Sequence, residues 1–229
     1  MSKERPILFN GEMVRAILAG QKTQTRRAIK PQPFEASFLD APGQQQPGFD
    51  EDGRVRVATS MGVHLLTCPF GQPGDRLWVR ESFTDLRGTG IQHRPDPSGP
   101  FQRYAYSADT LPGSAGDEAR KDYGIKWRPS IHMPREACRL VLEITSVRVE
   151  RLQALPSADW ESEGISFCIE DPDTTAGRAF SEAEHYWIAG VSMRGTPEDH
   201  GMRAQFAEQG LDWDSNPWVW VIDFKQVTP

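Results

Sequence analysis

Cysteine is scarce in this chain. Cys68, Cys138 and Cys168 stand far apart, form no CxxC pair and have no histidine at zinc-ligand spacing. The common structural zinc motifs are excluded, and an odd count fits a reducing cytosol better than a disulfide framework. Long apolar runs are missing too. Nothing approaches the roughly 18 consecutive apolar residues of a membrane span, and the opening MSKERPILFNGEM lacks the apolar core of a secretory signal. A cytoplasmic protein is the expectation. Positive charge is not in excess: 26 Lys and Arg face 32 Asp and Glu, a formal net charge of −6. A nucleic-acid binder working through bulk basic charge is excluded, so any such surface must be a local patch. There is no internal repeat.

What is present suits a globular protein. The 229 residues are enough for one large domain or two small ones, and 38% hydrophobic with 25% charged residues is polar but not disordered. Twenty Gly and 18 Pro point to long loops, and seven Trp need a core or a stacking site.

Arg5–Phe9 reads as a short strand. Met13, Ile17 and Leu18 then follow helical spacing, with Asn10 as N-cap and Gly20 as the stop. Lys22–Ile29 is Thr-rich and alternating, so it reads as extended. Residues 32 to about 65 read as a long insertion with a hairpin near Arg54–Ala58. Pro73-Gly74-Asp75 is a turn launching a strand over Arg76–Phe83. Residues 84–124 are again Gly/Pro-rich, with one strand at Arg103–Ser107. Cys138–Leu152 carries the strongest strand pattern, and Val147 and Val149 beside Leu142 and Ile144 imply a bulge or a two-sided strand. A short helix ends at Gly164, a third variable stretch (166–200) includes a helix near Glu182–Ile188, and another short helix covers Arg203–Gln209. Trp218–Phe224 closes as a buried strand. Few, short helices among many strands indicate an α+β fold, a small mixed barrel with inserted loops.

Four constellations could carry chemistry. In Lys22-Thr23-Gln24-Thr25-Arg26-Arg27, a lysine of lowered pKa near a threonine hydroxyl can accept its proton, and the arginines can hold a phosphate or a carbonyl oxygen. The alternative is a solvated basic edge strand. Around Trp78, alternation puts Arg76 and Arg80 on its face and Glu81 on the other, which also suits a structural Arg–Glu pairing. The segment Lys126-Trp127-Arg128-Pro129-Ser130-Ile131-His132-Met133-Pro134-Arg135 interleaves cations with an aromatic, as where a base stacks and a phosphate is neutralised; it is equally a surface loop. Glu161 and Glu163 lie two apart on a helix, so at most one points into a given pocket. Charge is divided along the chain. Residues 1–30 hold seven Lys/Arg against two Glu, and residues 152–214 hold thirteen Asp/Glu against three Arg.

Gly20-Gln21-Lys22-Thr23-Gln24-Thr25-Arg26-Arg27 resembles the G-x-K-T-x-T-x-R signature of ASCH domains, a group of the PUA-like superfamily. Pro73–Val79 resembles its G-D-x-L-x-V strand, LPSADWESEGI its short helix, and Trp218–Phe224 its closing strand. WVRESF and KWRPSIHMPR resemble enlarged ASCH proteins of bacteriophages and prophages. The resemblance implies a PUA-like barrel with a cleft for RNA or a modified nucleobase, and neither cofactor nor metal. By analogy with small bacterial ASCH enzymes that hydrolyse N4-acetylcytidine, it implies Thr25 as nucleophile, Lys22 as its base and Glu163 as the group orienting Lys22. Arg26 or Arg27, with nearby backbone N–H groups, would stabilise the oxyanion. Trp78, Arg80, Glu81, Lys126, Trp127, Arg128, His132 and Arg135 would bind substrate. The alternative is a non-catalytic RNA-binding module or a ribonuclease of the same fold. The insertions at about 32–65, 84–124 and 166–200 lie outside the resemblance.

Overall fold

Ten residues near the end of the chain, WVWVIDFKQV, organise the molecule. They form a strand buried on both faces through its first half, as an unbroken apolar run requires. The computed structural model describes residues 2–32, 54–59, 62–95, 98–110, 112–156, 158–168, 185–188, 191–194 and 203–228. In chain order the elements are β1 (Glu4–Leu8), α1 (Gly11–Leu18), β2 (Gln24–Ala28), β3 (Arg54–Thr59), β4 (Gly62–Thr67), β5 (Arg76–Arg80), β6 (Phe83–Asp85), β7 (Tyr104–Tyr106), α2 (Ala115–Asp122), β8 (Val141–Arg151), α3 (Ala158–Ser162), β9 (Ile165–Cys168), β10 (His185–Ile188), β11 (Val191–Arg194), α4 (Arg203–Glu208) and β12 (Trp218–Val227). The structure is mixed α+β, with a mostly sheet core and few helices.

The main sheet has the order β1-β5-β8-β12-β2. Only β1 and β5 pair in parallel; the other neighbours are antiparallel. Its edges, β1 and β2, do not pair with each other, so the expected closed barrel is replaced by an open sheet among the described residues. Helix α1 and the β3–β4 hairpin cover its apolar side instead. Met13, Val14, Ile17 and Val55 join Leu77, Leu142, Trp220 and Ile222 there in one cluster. That hairpin, expected as part of an insertion, is therefore a wall of the core. The other side of the sheet carries Val219 and Val221 against Leu152, Leu155, Phe206 and Leu211.

Between Asp223 and Phe224 the β8–β12 register shifts, and the displaced residue on β8 is Thr145. This is the bulge implied by the sequence, and it has a consequence. Before it Leu142 and Ile144 face the larger cluster; after it Val149 does, so Arg148 and Glu150 turn to the opposite side.

Two expectations need correction. Where a helix was expected near 182–188, His185–Ile188 is a strand, paired antiparallel with β9 and β11. Its His-Tyr-Trp-Ile composition suits a pleated ladder; residues 182–184 lie outside the described ones. Within 84–124, α2 was not anticipated. It is capped by the Ser114 hydroxyl, which accepts from the Asp117 N–H at 3.3 Å.

Candidate functional site

The site begins where α1 ends. Gly20 takes a left-handed conformation (φ +74°), and the N–H groups of Gln21 and Lys22 donate to the Ala16 carbonyl at 2.9 and 3.1 Å. The chain then meets the end of α3. Lys22 and Glu163 form an antiparallel bridge, and the Thr23 N–H donates to the Ser162 carbonyl at 2.8 Å. Gly164 (φ +86°) permits the approach, since a Cβ there would lie 3.2 Å from the Ala16 Cβ and 3.4 Å from the Lys22 Cβ.

This junction buries a charged cluster. Lys22 Nζ donates to Glu163 Oε2 and to the Glu163 carbonyl, both at 2.8 Å. Arg26 Nη1 donates to Glu163 Oε1 at 2.7 Å, so one carboxylate bridges two cations. Lys22, Arg26 and Glu163 are each no more than 1% exposed. Arg26 Nη2 reaches Asp159 at 3.1 Å and Glu150 at 3.4 Å. Arg148 donates to Glu150 at 2.6 Å, to Asp159 at 2.9 Å, and to Asp223. Gln24 accepts from Arg26 and donates to Asp223 at 2.6 Å. Four carboxylates thus neutralise three cations, as buried charge requires. Burial pushes the Lys22 ammonium below its usual range, against the pull of Glu163.

Thr25 is placed differently. It pairs with Ile222 on β12, so alternation puts it on the face of Arg27, opposite Gln24 and Arg26. Its hydroxyl is buried and has no hydrogen-bond partner among the described residues. Lys22 and Glu163 therefore come together, while Thr25 lies nearby in sequence without a hydrogen bond to either. Arg27 lies over the Phe9 ring (5.2 Å) and donates to the Leu8 carbonyl at 2.8 Å. Burial lowers its pKa to about 10, opposed by the charge of Glu163.

The remaining candidates gather elsewhere. β5 is separated from β2 by β8 and β12, roughly 14 Å at about 4.8 Å per strand. Arg80 lies over Trp78 (5.4 Å) and donates to the Ile131 carbonyl. Glu81 is buried and held by Arg139 through two bonds of 2.9 and 3.0 Å; burial raises its pKa and Arg139 opposes the rise. Arg135 is committed to Glu4 through two bonds of 2.9 Å. Trp127 packs under Arg120 (5.5 Å) and lines a cavity of about 430 Å³ with Arg15 and Asp117. Lys126, Arg128 and His132 are exposed. These residues form a second surface, apart from the Lys22–Glu163 pair.

Gln24, Arg148, Glu150, Asp159 and Asp223 belong to the cluster and were not anticipated. One signal was readable: Asp159 and Glu163 are four apart on the short helix, hence on one face. The rest depends on the bulge at Thr145. Among the described residues no group of three or more His, Cys, Asp or Glu is arranged to hold a metal ion, and no helix is long and apolar enough to cross a membrane. No protein-family model, no curated protein and no solved structure matches this chain.

Proposed function

We propose that this chain is a PUA-like, ASCH-type protein that binds a modified nucleobase and hydrolyses the amide of N4-acylated cytidine. The observation that carries the reading is the buried lysine, held by one carboxylate and pushed toward its neutral form by burial, two residues before a strand with a buried, unpartnered threonine hydroxyl. Buried ionisable groups of shifted pKa mark candidate functional sites. In the reaction, neutral Lys22 takes the Thr25 proton as Oγ1 attacks the acyl carbon. The C–N bond breaks, the departing cytosine amine takes that proton, and an acyl ester remains on Thr25. Water hydrolyses the ester, releasing the carboxylic acid and restoring the threonine. Glu163 holds Lys22 between these steps. Because Thr25 and Lys22 share no hydrogen bond in the structure, the reading requires Lys22 Nζ to turn toward Thr25 when substrate enters.

The test is incubation with N4-acetylcytidine and a panel of modified nucleosides, with products read by mass. Cytidine and acetate are the expected products, lost in Lys22→Ala and Thr25→Ala. A fully active Lys22→Ala protein, or no product from folded wild type across the panel, overturns the reading. A non-catalytic RNA-binding role is favoured by a different observation, the exposed Lys126, Arg128 and His132 near the Arg80–Trp78 pair. It predicts salt-dependent RNA binding, weakened by Arg128→Ala, without turnover.

A further inference from the structure

Arg27 poses a physical problem that the buried cluster does not solve. It sits on the other face of β2 from Arg26 and has no ion pair among the described residues, although Lys22, Arg26 and Arg148 all do. One guanidinium nitrogen donates to the Leu8 carbonyl, while Nε is buried with no hydrogen-bond partner among the described residues. A half-buried cation with an unused buried donor is costly, and an anion that reaches its accessible edge offsets part of that cost.

Arg27 also lines a cavity of about 480 Å³. Lys30 stands two residues beyond the end of β2 on the same rim, exposed and without an ion pair among the described residues. Leu66, Phe70 and Trp220 supply apolar and aromatic wall, and no carboxylate among the described residues lines the space. Two cations match a doubly charged anion, and the aromatic wall matches a flat ring. The volume falls within the range of about 300–1,000 Å³ typical of small-molecule sites.

We infer that the cavity bounded by Arg27, Lys30, Phe70 and Trp220 binds a phosphate monoester that carries a flat ring, of nucleoside monophosphate size. Arg27 donates to the phosphate from the part of its guanidinium that lines the cavity, Lys30 closes over it from the rim, and the ring lies against the apolar wall. The identity of the ring rests on the nucleobase reading above; the anion half rests on Arg27 alone.

The experiment is calorimetric titration of the wild-type chain with cytidine 5′-monophosphate, cytidine and inorganic phosphate at low and high salt. The monophosphate is expected to bind at least about 10-fold more tightly than cytidine, the yield of a charge-assisted hydrogen bond. That preference should shrink as salt rises. Arg27→Gln should abolish the preference, with circular dichroism checking its fold. Lys30→Gln, at an exposed position, should weaken monophosphate binding about 2- to 5-fold and leave cytidine binding unchanged. Equal binding of the two ligands, or no monophosphate binding at millimolar concentration, overturns the inference. Inorganic phosphate binding as tightly as the monophosphate overturns its ring half. The two proposals fail separately. Turnover of N4-acetylcytidine without a monophosphate preference sinks only the phosphate site, and the preference without turnover sinks only the catalysis.

Discussion

Replacing Glu163 by glutamine keeps the shape of the side chain and removes its charge, and the structure indicates where the loss falls. Arg26 retains Asp159 at 3.1 Å and Glu150 at 3.4 Å. Lys22 retains only the backbone carbonyl of residue 163, because Glu163 is its sole carboxylate partner among the described residues. Breaking a buried pair by removing one partner costs about 3–5 kcal/mol. The lysine can limit that loss by entering the fold as a neutral amine. From an ordinary value of 10.5, discharging it costs about 4.8 kcal/mol at pH 7 and about 2 kcal/mol at pH 9, at about 1.36 kcal/mol per pH unit. The sign follows from burial. In wild type burial lowers the Lys22 pKa and Glu163 opposes the fall, so losing the carboxylate lowers it further; the unfolded chain then binds the extra proton, and the variant gains more stability than wild type as pH rises toward 10.5. Urea unfolding of wild type and Glu163→Gln should differ by about 3–5 kcal/mol at pH 7 and by less at pH 9. A difference below about 1 kcal/mol at pH 7, or one that does not change with pH, refutes the reasoning.

Gly164→Ala should destabilise by about 1–2 kcal/mol from its left-handed backbone alone, and more because the new methyl would meet Ala16 and Lys22; thermal unfolding measures it. Asn10→Ala removes the cap that accepts from the Met13 N–H at 2.8 Å and should lower stability by about 1 kcal/mol, read as a shifted urea midpoint. Tyr106 is pushed up to about 12 by burial, so absorbance titration should show a late tyrosine step that Tyr106→Phe removes. Because its folded pKa is raised, its contribution to stability is lost as pH climbs from about 10 through 12.

Much of the fold could be read from local signals. The Asn10 cap, the extended run after Gly20, the bulged strand near Leu142 and the buried Trp218–Phe224 strand all rest on propensity, periodicity or capping, and they appear at or near the expected places. Barrel closure was not readable, because it depends on whether two edges meet, and no residue encodes that by itself. α2 has a strongly polar sequence, AGDEARKD, so it carries little amphipathic pattern; its local signs are its cap and the charge pairs of Asp117 and Glu118 with Arg120 and Lys121. The same limit governs the site. Lys22, Arg26 and Glu163 stood out as residue types, yet their convergence follows from the bridge between Lys22 and Glu163. Arg135 and Glu81 looked like ligand contacts because their partners, Glu4 and Arg139, lie far away in sequence. Alternation along β2 was readable, and it separates Thr25 and Arg27 from Arg26.

The position of β12 has a consequence for the order of assembly. It lies between β8 and β2 in the sheet and follows every other strand in the chain. As the polypeptide emerges from a ribosome, β2 has no strand to pair with until nearly 200 residues later, when residues 218–227 appear. The charged residues of β2 and α3 must stay hydrated until then, since the core that buries them is not yet complete. Such long-range closure makes folding slow and leaves the early strands exposed to wrong partners. The polar character of KTQTRRAIK, which serves the buried cluster in the finished protein, also keeps that segment soluble while it waits.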